Sequence, residues 1–344
     1  MYSLKNPLVT LLFLTSLSNA HSIAEILDDY EMISKKEVQT DDSNISGVAF
    51  DPNNGTLLVV DNNTCNIHEV TTSGQLVNSI KLNGFNDVEG IAFQADSYFL
   101  VCEERKGNVI RINLPQSRSG SINKEDCQVL YILEDNFNSG IEDVTYVPSR
   151  KSGFAVKEKN PSALFRLFFD NSGKPVDYQE VLSFSWDGLE GDAAGIYALA
   201  DGNILIINEI GKKIVGMDST GRVLSEIKID MNQPEGITCN ETDGTIYVAG
   251  EEREMAIFSL KKDRIRNRDG KSVCFFSNTG AEIILSNKKT FNKSISPQKI
   301  CYTLHGRYIE AGKDYSGLHC ASQFMVFKII NGSSRKTGGS TSTK

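Results

Sequence analysis

ISGVAF at residues 45–50 is the phrase that decides the fold, because it returns four times in altered form. The later copies read VEGIAF (88–93), IEDVTY (141–146), AAGIYA (193–198) and PEGITC (234–239). Their third positions, Gly47, Gly90, Asp143, Gly195 and Gly236, are 43, 53, 52 and 41 residues apart. A self-similar unit of about 40–50 residues is the spacing of propeller blades, each a small four-stranded sheet. Asp143 breaks the glycine pattern, which makes the third copy the weakest.

Each unit reads as four antiparallel strands, innermost first. In the fourth, an apolar run at 195–199 meets the turn Asp201-Gly202, and NILIIN (203–208) follows as a second strand. Residues 213–217 and 222–229 supply the third and fourth strands around Ser219-Thr220-Gly221. The fifth unit stops one strand short, near residue 260. Upstream of the first copy, EMISKKEV (31–38) is strand-like and otherwise unassigned. It is expected to complete the fifth sheet and close the ring, since closure removes exposed sheet edges. The predicted class is therefore all-β: a five-bladed propeller over 30–261, closed by an N-terminal strand. A small mostly-β appendage (262–330) and a polar, disordered tail (331–344) follow.

The 344-residue chain has ordinary globular composition and a formal net charge of −8. That acidity argues against a nucleic-acid partner, which would need a basic stripe. Lys5, an apolar run at 8–17 and Ser18-Asn19-Ala20 form a secretory leader, with cleavage expected after Ala20. The run is well short of the roughly 20 residues of a spanning helix. Secretion is expected (periplasmic or membrane-associated if the source is bacterial). Export makes Cys65, Cys102, Cys127, Cys239, Cys274, Cys301 and Cys320 candidates for disulfides, Cys301–Cys320 in particular. Cys239 sits inside a repeat strand and reads as core filling. Glycosylation sequons stand at Asn44, Asn54, Asn62, Asn240, Asn292 and Asn331.

The chemistry is concentrated in acids. Asp61, Glu103, Glu158, Glu209 and Glu251 are read at the ends of the second strands. Glu89, Glu142 and Glu235 stand before the first strands, with Asp192 close to that point in the fourth unit. The two strands form a hairpin, so both positions fall on one face of the disc, near its axis. Crowded like charges raise one another's pKa unless a cation compensates them. A hard divalent ion, Ca²⁺ in an exported protein, suits such a ring of oxygens. Asp61, Glu103, Glu158, Glu209 and Glu251 are its candidate ligands. Ion pairs with Arg105, Lys157, Lys159 and Arg253, or a solvated acidic rim, are the competing explanations. There is no GxSxG elbow, and His21, His68, His305 and His319 read as structural. Glu103 and Glu158 are the candidate bases for metal-assisted hydrolysis.

Several stretches carry a resemblance. ISGVAFDPNNGTLLVVD from Ile45, GFNDVEGIAF from Gly84 and Glu103-Glu104-Arg105 come in order, followed by FAVKEKNPSALFRL from Phe154 and QPEGIT from Gln233. Over about 30–260 the chain resembles the SdiA-regulated (YjiK-like) family. The resemblance implies a five-bladed propeller related to NHL-repeat and lactonase-like propellers, exported or membrane-associated, with an undefined biochemical role. Asn62-Asn63 departs from a pattern that favours an acid followed by proline. Three functions follow as expectations. One is a propeller binding a small-molecule or cationic ligand at an acidic channel mouth through Glu89, Glu103, Glu142, Glu158, Glu209, Glu235 and Glu251. The others are a metal-assisted hydrolase of esters, lactones or phosphoesters, and an extracellular module for a protein partner. Fold alone cannot choose among them.

Overall fold

The computed structural model describes residues 22–133, 139–159, 161–184 and 192–261, with 301–302 and 308–309. The leader, most of 262–330, the tail and the Cys301–Cys320 pairing lie outside the described residues. A first strand, β1 (Tyr30–Glu37), precedes everything else. The first sheet is β2 (Ile45–Asp51), β3 (Thr56–Asp61), β4 (Asn66–Val70) and β5 (Leu76–Asn83). The second is β6 (Val88–Ala95), β7 (Tyr98–Glu103), β8 (Asn108–Asn113) and, after β9 (Gly120–Asn123), β10 (Gln128–Tyr131). The third comprises β11 (Ile141–Val147), β12 (Ser152–Lys157), β13 (Ser162–Phe169) and β14 (Pro175–Phe184). The fourth holds β15 (Ala193–Ala198), β16 (Ile204–Asn208), β17 (Lys213–Met217) and β18 (Val223–Lys228). The fifth has β19 (Pro234–Asn240), β20 (Thr245–Gly250) and β21 (Glu254–Leu260), with β1 outermost. A separate unit contributes one antiparallel pair, β22 (Cys301–Tyr302) with β23 (Tyr308–Ile309).

The five-bladed propeller is thus what the repeat spacing predicts. Inner strands β2, β6, β11, β15 and β19 each contact the next around the ring. The described core forms five apolar clusters, one between each pair of adjacent sheets. One feature lies outside the four-strand plan. The connection from β8 to β10 sends β9 across to run parallel to β5, giving the first sheet a fifth strand and clasping two blades. Outer hairpins follow a local rule. Asp170 and Asp218 each accept backbone N–H bonds from the residues two and four positions on, at 2.8–3.1 Å, with glycine between.

Ring closure uses backbone pairing. β1 runs antiparallel to β21 from Tyr30 opposite Leu260 to Glu37 opposite Glu254. Val38 then donates to the Arg253 carbonyl at 2.8 Å. The following linker is fixed by Asp42, whose Oδ2 accepts from His68 Nε2 (2.7 Å), Thr64 Oγ1 (2.9 Å) and Asn66 Nδ2 (3.1 Å). On its other side, His68 Nδ1 lies 2.8 Å from Ser79 Oγ, so both ring nitrogens are engaged. Two short 3₁₀ turns before β1 (Ile23–Glu25 and Leu27–Asp29) bury Ala24 and Leu27 against the fourth and fifth sheets. Ser225 Oγ holds them, donating to the Ala24 carbonyl (2.8 Å) and accepting from Leu27 N–H (2.9 Å). Cys65, Cys102, Cys127 and Cys239 are free thiols, and Cys239 lies in the core as expected. No disulfide occurs among the described residues.

The repeated glycine has a packing cause. A Cβ on Gly47 would fall 2.5 Å from the Glu89 carbonyl oxygen, and one on Gly195 2.3 Å from that of Glu235. One on Gly236 would meet Gly47 Cα at 2.7 Å. Successive inner strands therefore touch backbone to backbone, and a side chain cannot pass between them. Asp143 is the exception with a role. Its carboxylate lies over Gly90 and accepts N–H bonds from Val144 and Ile196 at 2.8 Å, and from Ile91. The weakest repeat copy thus pins three blades together.

Gly236→Ala is expected to lower stability by about 2 kcal/mol, as overpacking against fixed backbone does. Urea unfolding measures it, and an unchanged midpoint would show that the inner strands have room to part.

Candidate functional site

The site begins with a β-bulge at the start of every inner strand. Pairing skips between Ile45 and Gly47, Val88 and Ile91, Ile141 and Asp143, Ala193 and Gly195, and Pro234 and Gly236. The extra residue re-aims a side chain at this end of the sheet. Ser46, Glu89, Glu142, Ala194 and Glu235 stand at these bulges. Opposite them, the residue just past each second strand donates its N–H to the residue preceding the inner strand. The pairs are Asn62 to Asn44 (3.3 Å), Glu104 to Asp87 (3.0 Å), Glu158 to Gly140 (3.3 Å), Glu209 to Asp192 (3.4 Å) and Glu251 to Gln233 (3.2 Å).

These bonds correct the expected acid ring in the first two blades. The positions equivalent to Glu158, Glu209 and Glu251 are Asn62 and Glu104, rather than Asp61 and Glu103. Asp61 and Glu103 are the last residues of β3 and β7, so their side chains alternate to the other face. Asp61 Oδ1 accepts from Thr64 N–H at 2.6 Å and shapes a turn. Glu103 is fully buried; it accepts from Asn86 N–H (2.7 Å) and Asn108 Nδ2 (2.9 Å) and pairs with Lys124. The signal for the right register was present. Counted from Thr56, Tyr98, Ser152, Asn203 and Thr245, the ring residue is always the sixth on.

Glu104 is the centre that the sequence reading missed. Asp87, Glu89 and Glu104 each offer an oxygen within 4.8 Å of the others, and so do Glu104, Glu142 and Glu158. Glu158 meets Asp192 carboxyl to carboxyl. Asp192 is 6% exposed, and its Oδ1 has no hydrogen-bond partner. Glu235 feels the charges of Glu209, Glu89, Glu251 and Asp192, so the acids of the second to fifth blades form one electrostatic group. The first blade contributes differently. Asn62 donates to Glu89 at 3.1 Å, a neutral donor at the position that Glu104, Glu158, Glu209 and Glu251 fill in the other blades.

Burial is the main cause of the acids' altered titration, and neighbouring carboxylates add to it. Glu89 is pushed up to about 7, with Ser46 and Asn62 pulling the other way. Glu158 is pushed up to about 7 against the pull of Lys159, and Glu235 to about 9. Burial, with the charges of Glu89, Glu104, Glu158 and Glu235, carries Glu142 well above the usual carboxylate range. Two of the four expected basic partners reach the group. Lys159 pairs with Glu158, and Arg105 Nε lies 3.0 Å from Asp87 Oδ2. Arg253 instead holds Glu37 (2.8 Å), and Lys157 donates to the carbonyls of Lys159 and Pro161.

The far end of the inner strands is different in character. A cavity of about 200 Å³ there is lined by Ala49, Ala92, Thr145, Tyr197, Thr238 and Glu241, among others. The glycine positions and Asp143 lie between it and the acids. Among the described residues no helix is long and apolar enough to cross a membrane.

An acid whose folded pKa lies above its unfolded value binds more protons in the native state, so stability falls as pH rises between the two. With Glu89 and Glu158 near 7 and Glu235 near 9, the melting temperature in chelator should fall from about pH 5 to pH 9. Glu235→Gln should flatten the upper part of that fall, and Glu103→Gln should lower stability throughout by uncovering Lys124. Melting curves across this range test both; a flat wild-type profile would contradict the crowding.

Comparison with known proteins gives one family and several distant structural likenesses. A family profile described as SdiA-regulated matches residues 22–259. Glutaminyl cyclase from Myxococcus xanthus is 14% identical, over 67% of this chain and 96% of that one, with a TM-score of 0.47. The calcium-binding protein regucalcin from Agrobacterium tumefaciens is 15% identical, over 67% and 89%, with a TM-score of 0.42. A luciferin-regenerating enzyme is 13% identical, over 65% and 94%, with a TM-score of 0.45. With the family profile spanning the whole ring of blades, the chain belongs to the SdiA-regulated family.

Proposed function

We propose that this protein binds a divalent cation, Ca²⁺ by preference, at the acidic end of its propeller axis. The observation that carries the reading is the convergence of Glu104, Glu142 and Glu158. Their oxygens lie within 4.8 Å of one another, about twice a Ca²⁺–oxygen distance, so one ion can touch all three. Asp192, buried with an unpaired oxygen beside Glu158, fits the same group as a further donor. The donors are carboxylate oxygens, which suit hard cations better than soft ones. Relative to the sequence expectation, Glu104 takes the place of Glu103, and Asp61 drops out. Glu209 and Glu251 supply surrounding negative charge. Export from the cytoplasm belongs to the same proposal and is supported by the leader-like residues 5–20.

A second reading, metal-assisted hydrolysis of an ester, lactone or phosphoester, rests on Glu158. A carboxyl pushed up to about 7 is poised to take a proton near neutrality. Glu103, locked in its buried ion pair, is not offered as a base.

An ion that binds only the folded state stabilises it by about 2.7 kcal/mol at a hundredfold excess over Kd. Calcium chloride should therefore raise the melting temperature by several degrees and chelator should reverse it, while Glu104→Gln and Glu142→Gln should blunt the response. Identical curves with calcium and with chelator would remove the cation reading.

A further inference from the structure

Lys159 occupies the position just beyond the ring acid, which the other blades fill with Asn63, Arg105, Ile210 and Glu252. Its ammonium pairs with Glu158 Oε1. That carboxylate is also one of the three whose oxygens converge with Glu104 and Glu142, and it adjoins the unpaired oxygen of buried Asp192. A positive charge on a flexible four-carbon arm thus stands at the corner where a cation's ligands meet.

Two other lysines near the acids show how this pairing differs. Lys124 binds Glu103, which is fully buried and also bonded to Asn86 and Asn108, so that pair has nowhere to go. Lys157 is spent on two backbone carbonyls and fixes its own loop. Lys159 has a side chain 40% exposed, and among the described residues its ammonium bonds Glu158 alone, with the charges of Asp192 and Glu142 nearby. Its departure into solvent would uncover Glu158 and weaken the compensation of Asp192, Glu142 and Glu209, the charge that a bound divalent ion would replace.

We infer that Lys159 is a tethered cation that holds the Glu158 corner in the ion-free protein and swings out when a divalent ion binds. The inference rests on the cation reading above. Its consequence is selectivity. A monovalent ion offers Glu158 no more charge than the ammonium already there, whereas a divalent ion doubles the attraction at equal distance. Lys159 would then keep sodium and potassium out while admitting calcium.

The test uses the whole protein, with Lys159→Met as the main variant and Lys159→Arg as the variant that keeps the charge. Titration calorimetry with calcium chloride is paired with melting curves in chelator, with and without sodium chloride. Lys159→Met should bind calcium about fivefold tighter, the factor a partly exposed ion pair is worth. It should also melt below wild type in chelator and gain stability from sodium, while Lys159→Arg behaves as wild type. Equal calcium affinity and equal melting in chelator would overturn the inference and leave the cation reading standing. If none of the proteins binds calcium, the cation reading fails and takes the displacement with it. A lower melting point for Lys159→Met in that case would mark Lys159 as a fixed structural partner.

Discussion

Backbone-to-backbone contact between successive inner strands is the constraint on which this structure depends. At Gly47, Gly90, Gly195 and Gly236 a methyl group would collide with the neighbouring strand or with Asp143, so the radius of the ring is set by the absence of side chains. Once the inner strands are that close, the sheets must fan outward, and their faces bury the five apolar clusters between them. The third blade replaces glycine by an acid. Three N–H groups from three blades donate to its carboxyl oxygens, satisfying donors that would otherwise be buried and unpaired.

The same geometry creates the electrostatic problem at one end of the disc. Bulges bring Glu89, Glu142 and Glu235 toward the axis, and the exits of the second strands bring Glu104, Glu158, Glu209 and Glu251 to meet them. The protein offsets part of this crowding with Asn62, Arg105 and Lys159. It leaves the rest as raised pKa values and an unpaired oxygen on Asp192. Tolerated crowding of this kind is common where a site binds or reacts.

Much of this was legible in the sequence, for identifiable reasons. The blade count followed from the spacing of the glycine phrase, and closure by β1 followed from a fifth unit one strand short. The acid ring was legible only to within one residue. Asp61-Asn62 and Glu103-Glu104 each offer two polar candidates, and a strand directs neighbours to opposite faces. Anchoring the alignment on acids chose the wrong neighbour, where anchoring on the strand starts chooses the right one. β9 was not legible, because a parallel pairing of Ile80 with Gly120 leaves no periodic trace in either segment. The role of Asp143 was hidden for the opposite reason: a broken repeat reads as decay until its hydrogen bonds are seen.

The touching inner strands also separate the two ends of the hub. On each inner strand a glycine position or Asp143 stands between the acidic end and the cavity lined by Tyr197, Thr238 and Glu241, although both are built from the same five strands. One set of five inner strands thus presents two chemically distinct ends, each free to acquire its own chemistry.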